Sequence, residues 1–147
     1  MQWIHARNLD DLAPGDLYQM LKLRQDIFII EQECIYDDMD NIDPLCEHLL
    51  LKDGSEVIAC SRIVPAKIKF EHPSIGRIAV HKEYRKRGLG KEMVQMALEI
   101  LAKKNLDTVI IEAQSYLLAF YESLGFQKIS EAYPVDGISH HKMIYRY

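Results

Sequence analysis

The chain has 147 residues, 48% of them hydrophobic and 27% charged, with a formal net charge of −4. That length holds one domain with a real core and is short for two, and the acidic balance argues against nucleic-acid binding by bulk electrostatics. No apolar run is long enough to span a bilayer, no secretory leader pattern opens the chain, and three cysteines spaced too widely for C-x-x-C pairs (Cys34, Cys46, Cys60) predict reduced thiols in a cytoplasmic protein, with neither a disulfide frame nor a metal site.

Residues 2–7 read as a first strand, followed by a turn at 8–11. Pro14-Gly15-Asp16 predicts a helix start with Asp16 as its candidate cap, and Leu17, Met20, Leu21, Arg24, Ile27 and Phe28 follow helical spacing. Residues 31–45 are Asp-rich and irregular, a loop with room for a short helical turn. Residues 48–52 and 56–64 are two strands joined by the hairpin turn Asp53-Gly54-Ser55. Residues 75–81 form the next strand, and Leu89, Met93, Met96, Ala97, Ile100 and Leu101 mark the apolar face of a helix. Residues 108–112 read as a buried strand, and 116–124 as a short helix stopped by Gly125 in a left-handed cap. Residues 126–129 and 141–145 are closing strands joined by a loop holding Pro134 and Asp136-Gly137. An antiparallel meander, a helix crossover and closing strands predict an α/β fold of the mixed α+β kind, in a single domain over residues 1–147.

The stretch after the 75–81 strand carries the strongest chemical signal. Arg85, Gly88 and Gly90 give R-x-x-G-x-G between a strand and a helix. Glycine allows tight turning and close approach of a ligand to the backbone. The first N–H groups of the following helix lack intrahelical partners and sit at the positive end of its dipole. The pattern predicts a phosphate cradle, although glycine turns also occur in ordinary strand–helix connections. Gly90-Lys91 is followed by Glu92, so the lysine–hydroxyl pair of a nucleoside-triphosphate loop is missing, as is the three-glycine dinucleotide fingerprint. A pyrophosphate bound without a catalytic magnesium ion fits better.

The second motif is residues 114–126, where Leu117, Phe120, Tyr121 and Leu124 share one helix stripe. In isolation Tyr121 reads as a core aromatic. The two motifs together, in this order, resemble the GCN5-related N-acetyltransferase (GNAT) superfamily over roughly residues 48 to 130. Further pieces resemble its ElaA-like branch: Phe28, Glu31-Gln32 and Tyr36 before Asp37-Asp38; His48-Leu49; Arg62-Ile63; Ile75-Gly76-Arg77-Ile78; Ala113-Gln114; Phe120-Tyr121; and Tyr133 with Asp136-Gly137-Ile138 and His140.

The resemblance implies a mostly antiparallel central sheet of about six or seven strands flanked by about four helices. It implies acetyl-CoA as the acetyl-donor cosubstrate. Backbone groups of Ile78, Ala79 and Val80 would pair with its pantetheine arm like an added strand. Amides of Arg85, Lys86, Arg87, Gly88, Leu89 and Gly90 would hold the pyrophosphate, with added charge from Arg85 and Arg87. Phe120 would line the cofactor, and Tyr121 would protonate the departing thiolate. Gln114 stands where many members have asparagine; a hydrogen bond to the cofactor or to the splayed strands is expected there.

The implied reaction is direct transfer to a primary amine of a small molecule or peptide. A base or water chain takes a proton from the amine, and an N–H near Val80 stabilises the tetrahedral intermediate. No Cys–His pairing suggests an acyl-enzyme. Glu112, in an otherwise apolar strand where burial could raise its pKa, is one candidate base. A water held by His48 and His140 is the other, although each histidine also reads as a satisfied polar residue. Arg62 and Arg77, also in apolar strands, need anions. Glu112 or Glu47 would serve, in structure or in substrate recognition. The acidic run 31–43 reads as a solvated loop first and as an attractor for a cationic acceptor second. Two rivals stay open: a CoA-binding sensor without efficient transfer, and a nucleotide-binding regulator. The superfamily also allows a homodimer, which no residue pattern here selects. No nucleic-acid or membrane partner is expected.

Overall fold

A computed structural model describes residues 1–147. Its elements run β1 (Gln2–Ala6), α1 (Pro14–Arg24), β2 (Glu47–Asp53), β3 (Glu56–Val64), β4 (Ser74–Val80), α2 (Leu89–Ala102), β5 (Thr108–Gln114), α3 (Leu118–Ser123), β6 (Gln127–Lys128), β7 (Tyr133–Val135) and β8 (Ile138–Arg146). The predicted mixed architecture holds, with its strands divided between two four-stranded antiparallel sheets. One is ordered β1-β2-β3-β4; the other is β5-β8-β6, with β7 also on β8. No helix is long and apolar enough to cross a membrane.

The first sheet is covered on both faces, which explains its continuous apolar runs. Leu49, Leu51 and Ile63 join the larger core with Met93, Ala97 and Leu101 of α2, while Leu50, Val57 and Cys60 join Met20 and Leu23 of α1. In β5 burial alternates: Val109, Ile111 and Ala113 are buried, whereas Ile110, Glu112 and Gln114 are half-buried. The strand runs two residues past the expected 108–112 span, to Gln114, and has one buried face.

Asp16 does not cap α1. Ala13 is the cap residue with no side-chain bond, Pro14 opens the helix, and Asp16 ion-pairs with Lys52 at 2.7 Å. The helical spacing beyond Arg24 continues as a π-helical stretch, Gln25–Glu31. Five-residue-back bonds from Gln32 to Ile27 and from Cys34 to Ile29, both 3.1 Å, extend it. Such stretches concentrate at functional sites, and this one delivers Ile27, Phe28 and Glu31 to the cleft described below.

The predicted helix at 116–124 opens with a 3-10 turn, Ser115–Leu117, before α3. Gly125 follows at φ +101°, where an added Cβ would lie 3.0 Å from the Tyr145 ring. Strand β7 falls inside what the sequence reads as a loop. Pro134 argues against a central strand but is tolerated on this edge. Asp136 (φ +50°) and Gly137 (φ +79°) turn β7 into β8, which starts at Ile138.

Candidate functional site

Strands β4 and β5 touch at one end and part at the other. The Ile110 amide donates to the Pro73 carbonyl at 3.0 Å, and beyond that bond no ladder joins the two sheets. A β-bulge widens the gap. Cys60 faces Ala79 but Arg62 faces Gly76, so Ser61 stands opposite both Arg77 and Ile78, and Arg77 takes φ +50°. The result is a cleft of about 620 Å³, within the range of small-molecule sites.

The basic loop forms one end of the cleft. None of the amides of residues 85–91 donates to another group of the chain. The loop is bent by Lys86 (φ +64°) and Gly88 (φ +78°) directly before α2. These free donors at a helix N-terminus suit an anionic diphosphate. Lys86, Gly88, Leu89 and Gly90 line the cleft, as do Ile78, Ala79 and Val80 on β4 and Phe120 on α3. Arg85 also lines it, but its charge is engaged: Nε donates to the Val80 carbonyl at 3.0 Å and Nη2 pairs with Glu31 at 3.0 Å. The Arg87 side chain is not brought into the cleft; it lies over the Tyr84 ring at 4.9 Å. Gly88→Ala is expected to raise the dissociation constant of a diphosphate ligand at this loop about tenfold and to cost about 1–2 kcal/mol of stability, because an L side chain is strained at this φ. Calorimetry and thermal melting check both values. Open space around the added Cβ makes backbone strain the operative cause.

Tyr121 reaches the cleft from α3. Its ring is buried edge-on against Phe120 (5.1 Å) and Phe126 (5.8 Å), and its hydroxyl bonds to no protein group. Burial, with a smaller push from Tyr116, raises its pKa well above the ordinary phenol range, so the hydroxyl stays protonated near neutral pH.

The second sheet supplies a polar wall. Gln114 is in register with His140, and His140 with Tyr133; Glu112 lies two residues before Gln114, on the same face. The Tyr133 hydroxyl donates to Glu112 at 2.6 Å, and Lys69 pairs with Glu112 at 3.2 Å. Burial pushes the Glu112 pKa up, but the Tyr133 hydroxyl and Lys69 ammonium outweigh it and the net shift is downward. The expectation of a raised Glu112 pKa is thus overturned. His140 places Nδ1 2.7 Å from the Ile138 carbonyl. A carbonyl only accepts, so Nδ1 is the donor in this bond, and in the neutral ring Nε2 is the acceptor. Gln114 exchanges amide bonds with Gln32 at 3.1 and 3.2 Å, tying β5 to the end of the π-helical stretch.

His48 is not part of the cleft. It is fully buried with Nε2 donating to the Asp43 carbonyl at 2.9 Å, and burial lowers its pKa. It is a neutral core histidine and cannot hold a water beside His140. The arginines also find other anions than expected. Arg62 pairs with Asp40 (2.7 Å) and Asp43 (3.1 Å), and Arg77 with Asp38 (2.8 Å) and Asp40 (3.3 Å). Arg24, only 1% exposed, pairs with Asp38 (2.9 Å) and Asp43 (2.8 Å). Glu47 serves His5 and Lys104 instead. The acidic run is therefore more than a solvated loop. Glu33 and Asp37 stay exposed, while Asp38, Asp40 and Asp43 turn inward, hold the bulge at Arg77, and seat Tyr36, whose hydroxyl donates to Asp38 at 2.6 Å. Tyr36, Gln32 and Lys69 complete the cleft wall. The first two lie in the quoted branch pattern without an assigned role; nothing in the sequence singles out Lys69.

Residues 28–147 match a family model described as an acetyltransferase (GNAT) domain. A UPF0039 protein of Schizosaccharomyces pombe is 35% identical over 137 residues, covering 91% of this chain and 90% of its own. Protein ElaA of Escherichia coli is 34% identical over 133 residues, covering 88% of this chain and 87% of its own. The ElaA crystal structure superposes with a TM-score of 0.91 over 99% of both chains. An acyl-CoA N-acyltransferase of Pseudomonas aeruginosa gives 0.90 at 30% identity, again over 99% of both.

Proposed function

The chain belongs to the GNAT acetyltransferase family, ElaA-like branch, and from that premise we propose that it moves an acetyl group directly from acetyl-CoA to a primary amine of a small molecule or peptide. Acyl transfer from an acyl-CoA is the family's chemistry; the acetyl donor and amine acceptor are the finer reading. The observation that carries it is the row of free amides at residues 85–91 opening into the same cleft as the unpartnered Tyr121 hydroxyl.

In this reading those amides hold the diphosphate, and the ladder-free edge of β4 at Ile78, Ala79 and Val80 takes the pantetheine arm as an added strand. An N–H near Val80 stabilises the tetrahedral oxyanion. His140 takes the amine proton through Nε2, directly or through one water, and Tyr121 gives a proton to the leaving sulfur. Glu112, already bonded to Tyr133 and Lys69, shapes the acceptor side without acting as the base. The cysteines support direct transfer. Cys60 is fully buried with its thiol pushed up to about 12, and Cys34, which lines the cleft, is engaged with the Asp136 carbonyl at 3.4 Å. The domain works as a unit over residues 1–147 in the cytoplasm.

An amine panel with acetyl-CoA, read as free thiol, tests the reading. Saturable thiol release with at least one primary amine is the expected result. Tight CoA binding without release across the panel would instead support a sensor, and preferential binding of ATP or NAD a nucleotide regulator.

A further inference from the structure

We propose that Lys69 is a self-acetylation site, so that this chain is its own acceptor when no other amine fills the cleft. The inference rests on the acetyl-transfer reading above. Three lysines line the cleft: Lys69, Lys86 and Lys91. Lys86 and Lys91 belong to the loop and helix start at the phosphate end. Of the three, only Lys69 pairs with the polar wall of the second sheet, where the proposed transfer puts the acceptor amine. Its Nζ is 3.2 Å from Glu112, its side chain is 31% exposed, and it borders the Phe70 ring at 5.5 Å. An amine is therefore already lodged on the acceptor side.

The step from Glu112 to the proposed base, His140, is short. Gln114, opposite His140, lies two residues beyond Glu112 on the same face of β5, a displacement of roughly 7 Å. Lys69 sits in a β3–β4 connection without helix or strand, and its flexible four-carbon stem can sweep such a distance. The reaction balances without a further reagent. The Lys69 ammonium loses one proton to become nucleophilic, Nζ bonds to the thioester carbonyl carbon, and the carbon–sulfur bond breaks. One of the two protons that Nζ gives up passes to water through His140. The other replaces the proton Tyr121 hands to the CoA sulfur. The products are an amide at Lys69, free CoA thiol and one released proton. Glu112 then loses its cationic partner and keeps Tyr133 alone, which makes the acceptor wall more negative.

The test incubates the full chain with acetyl-CoA and no added amine, followed by time-resolved mass spectrometry with peptide mapping. Lys69 is expected to be acetylated about tenfold or more faster than any other lysine, as an intramolecular acceptor should be. The rate should not depend on protein concentration and should fall in Tyr121→Phe. Lys69→Arg, which keeps a cation on Glu112, should lose the modification. Acetylation of Lys69 no faster than that of exposed lysines, or at an equal rate in Tyr121→Phe, would overturn the proposal. Thiol release to panel amines with Lys69 unmodified sinks self-acetylation alone. Neither panel turnover nor Lys69 acetylation sinks both readings.

Discussion

Tyr121→Phe is expected to lower kcat about 100-fold while leaving the CoA dissociation constant within about twofold, since a positioned general acid contributes about 10²–10⁴ in rate. The substitution removes one oxygen and keeps the ring, so the edge-on contacts with Phe120 and Phe126 survive. No protein group bonds to that oxygen, so its loss strands no buried partner. Stability should stay within about 0.5 kcal/mol, as for changes that touch no named destabilising mechanism. A drop in turnover then reports chemistry, not folding. Burial holds the phenol protonated well past neutral pH, so Tyr121 contributes no alkaline loss of activity below about pH 10. Steady-state thiol release, with calorimetry for CoA, decides the matter. An unchanged kcat removes Tyr121 from the mechanism while leaving the phosphate end of the cleft as it stands.

The sequence carried the ligand-holding half of this site more legibly than the acceptor half, for a physical reason. Backbone recognition leaves local marks. Arg85, Gly88 and Gly90 lie within six consecutive positions, and the amides they expose need no distant partner. The acceptor wall is assembled from afar. Glu112, Tyr133, His140 and Lys69 meet only because β7 and β8 pair across β5 and the β3–β4 connection folds over. The most readable clue in that half was chemical: arginines in apolar strands demand anions. The demand was legible; the identity of the anions was not, because Glu112 and Glu47 lie in strands while Asp38, Asp40 and Asp43 lie in a run that composition alone assigns to solvent. His48 was open to two readings, a partner in holding a catalytic water and a satisfied polar residue, and nothing local chose between them; it is the second, fully buried and bonded to the Asp43 carbonyl. The bulge at Arg77 carries no glycine at the strained position, so no turn residue announces it. It is stabilised from outside the strand by Asp38 and Asp40.

Arg24→Met is expected to destabilise the fold by about 3–5 kcal/mol, the usual cost of removing one partner from a buried ion pair. Arg24 spans Asp38 and Asp43 with four hydrogen bonds between 2.8 and 3.1 Å, one of them to the Asp38 carbonyl. The two carboxylates it leaves are each only 6% exposed. Arg62 and Arg77 cannot replace it, since both are already committed to the same aspartates. Acid sensitivity provides a second readout. Burial pushes the Asp43 and Asp40 carboxyls up, but the guanidinium groups outweigh it, and both sit below the ordinary aspartate value near 3.8. A depressed folded-state pKa stabilises fully above the unfolded value and is lost as pH falls through the folded one. Wild-type stability should therefore be flat in this contribution above about pH 5 and decline below about pH 4. In Arg24→Met the Asp43 carboxylate loses one of its two guanidinium partners, its folded value rises, and the acid decline should begin at higher pH. Urea unfolding across a pH series measures both effects. A cost below about 1 kcal/mol with an unmoved acid limb would mean the network is not a clamp. If it is one, the loop that seats Tyr36 loosens together with the bulge that parts β4 from β5. The same variant, held folded at low temperature, should then show a raised KM for the acceptor with little change in CoA affinity, because the phosphate end of the cleft is built from backbone that Arg24 does not touch.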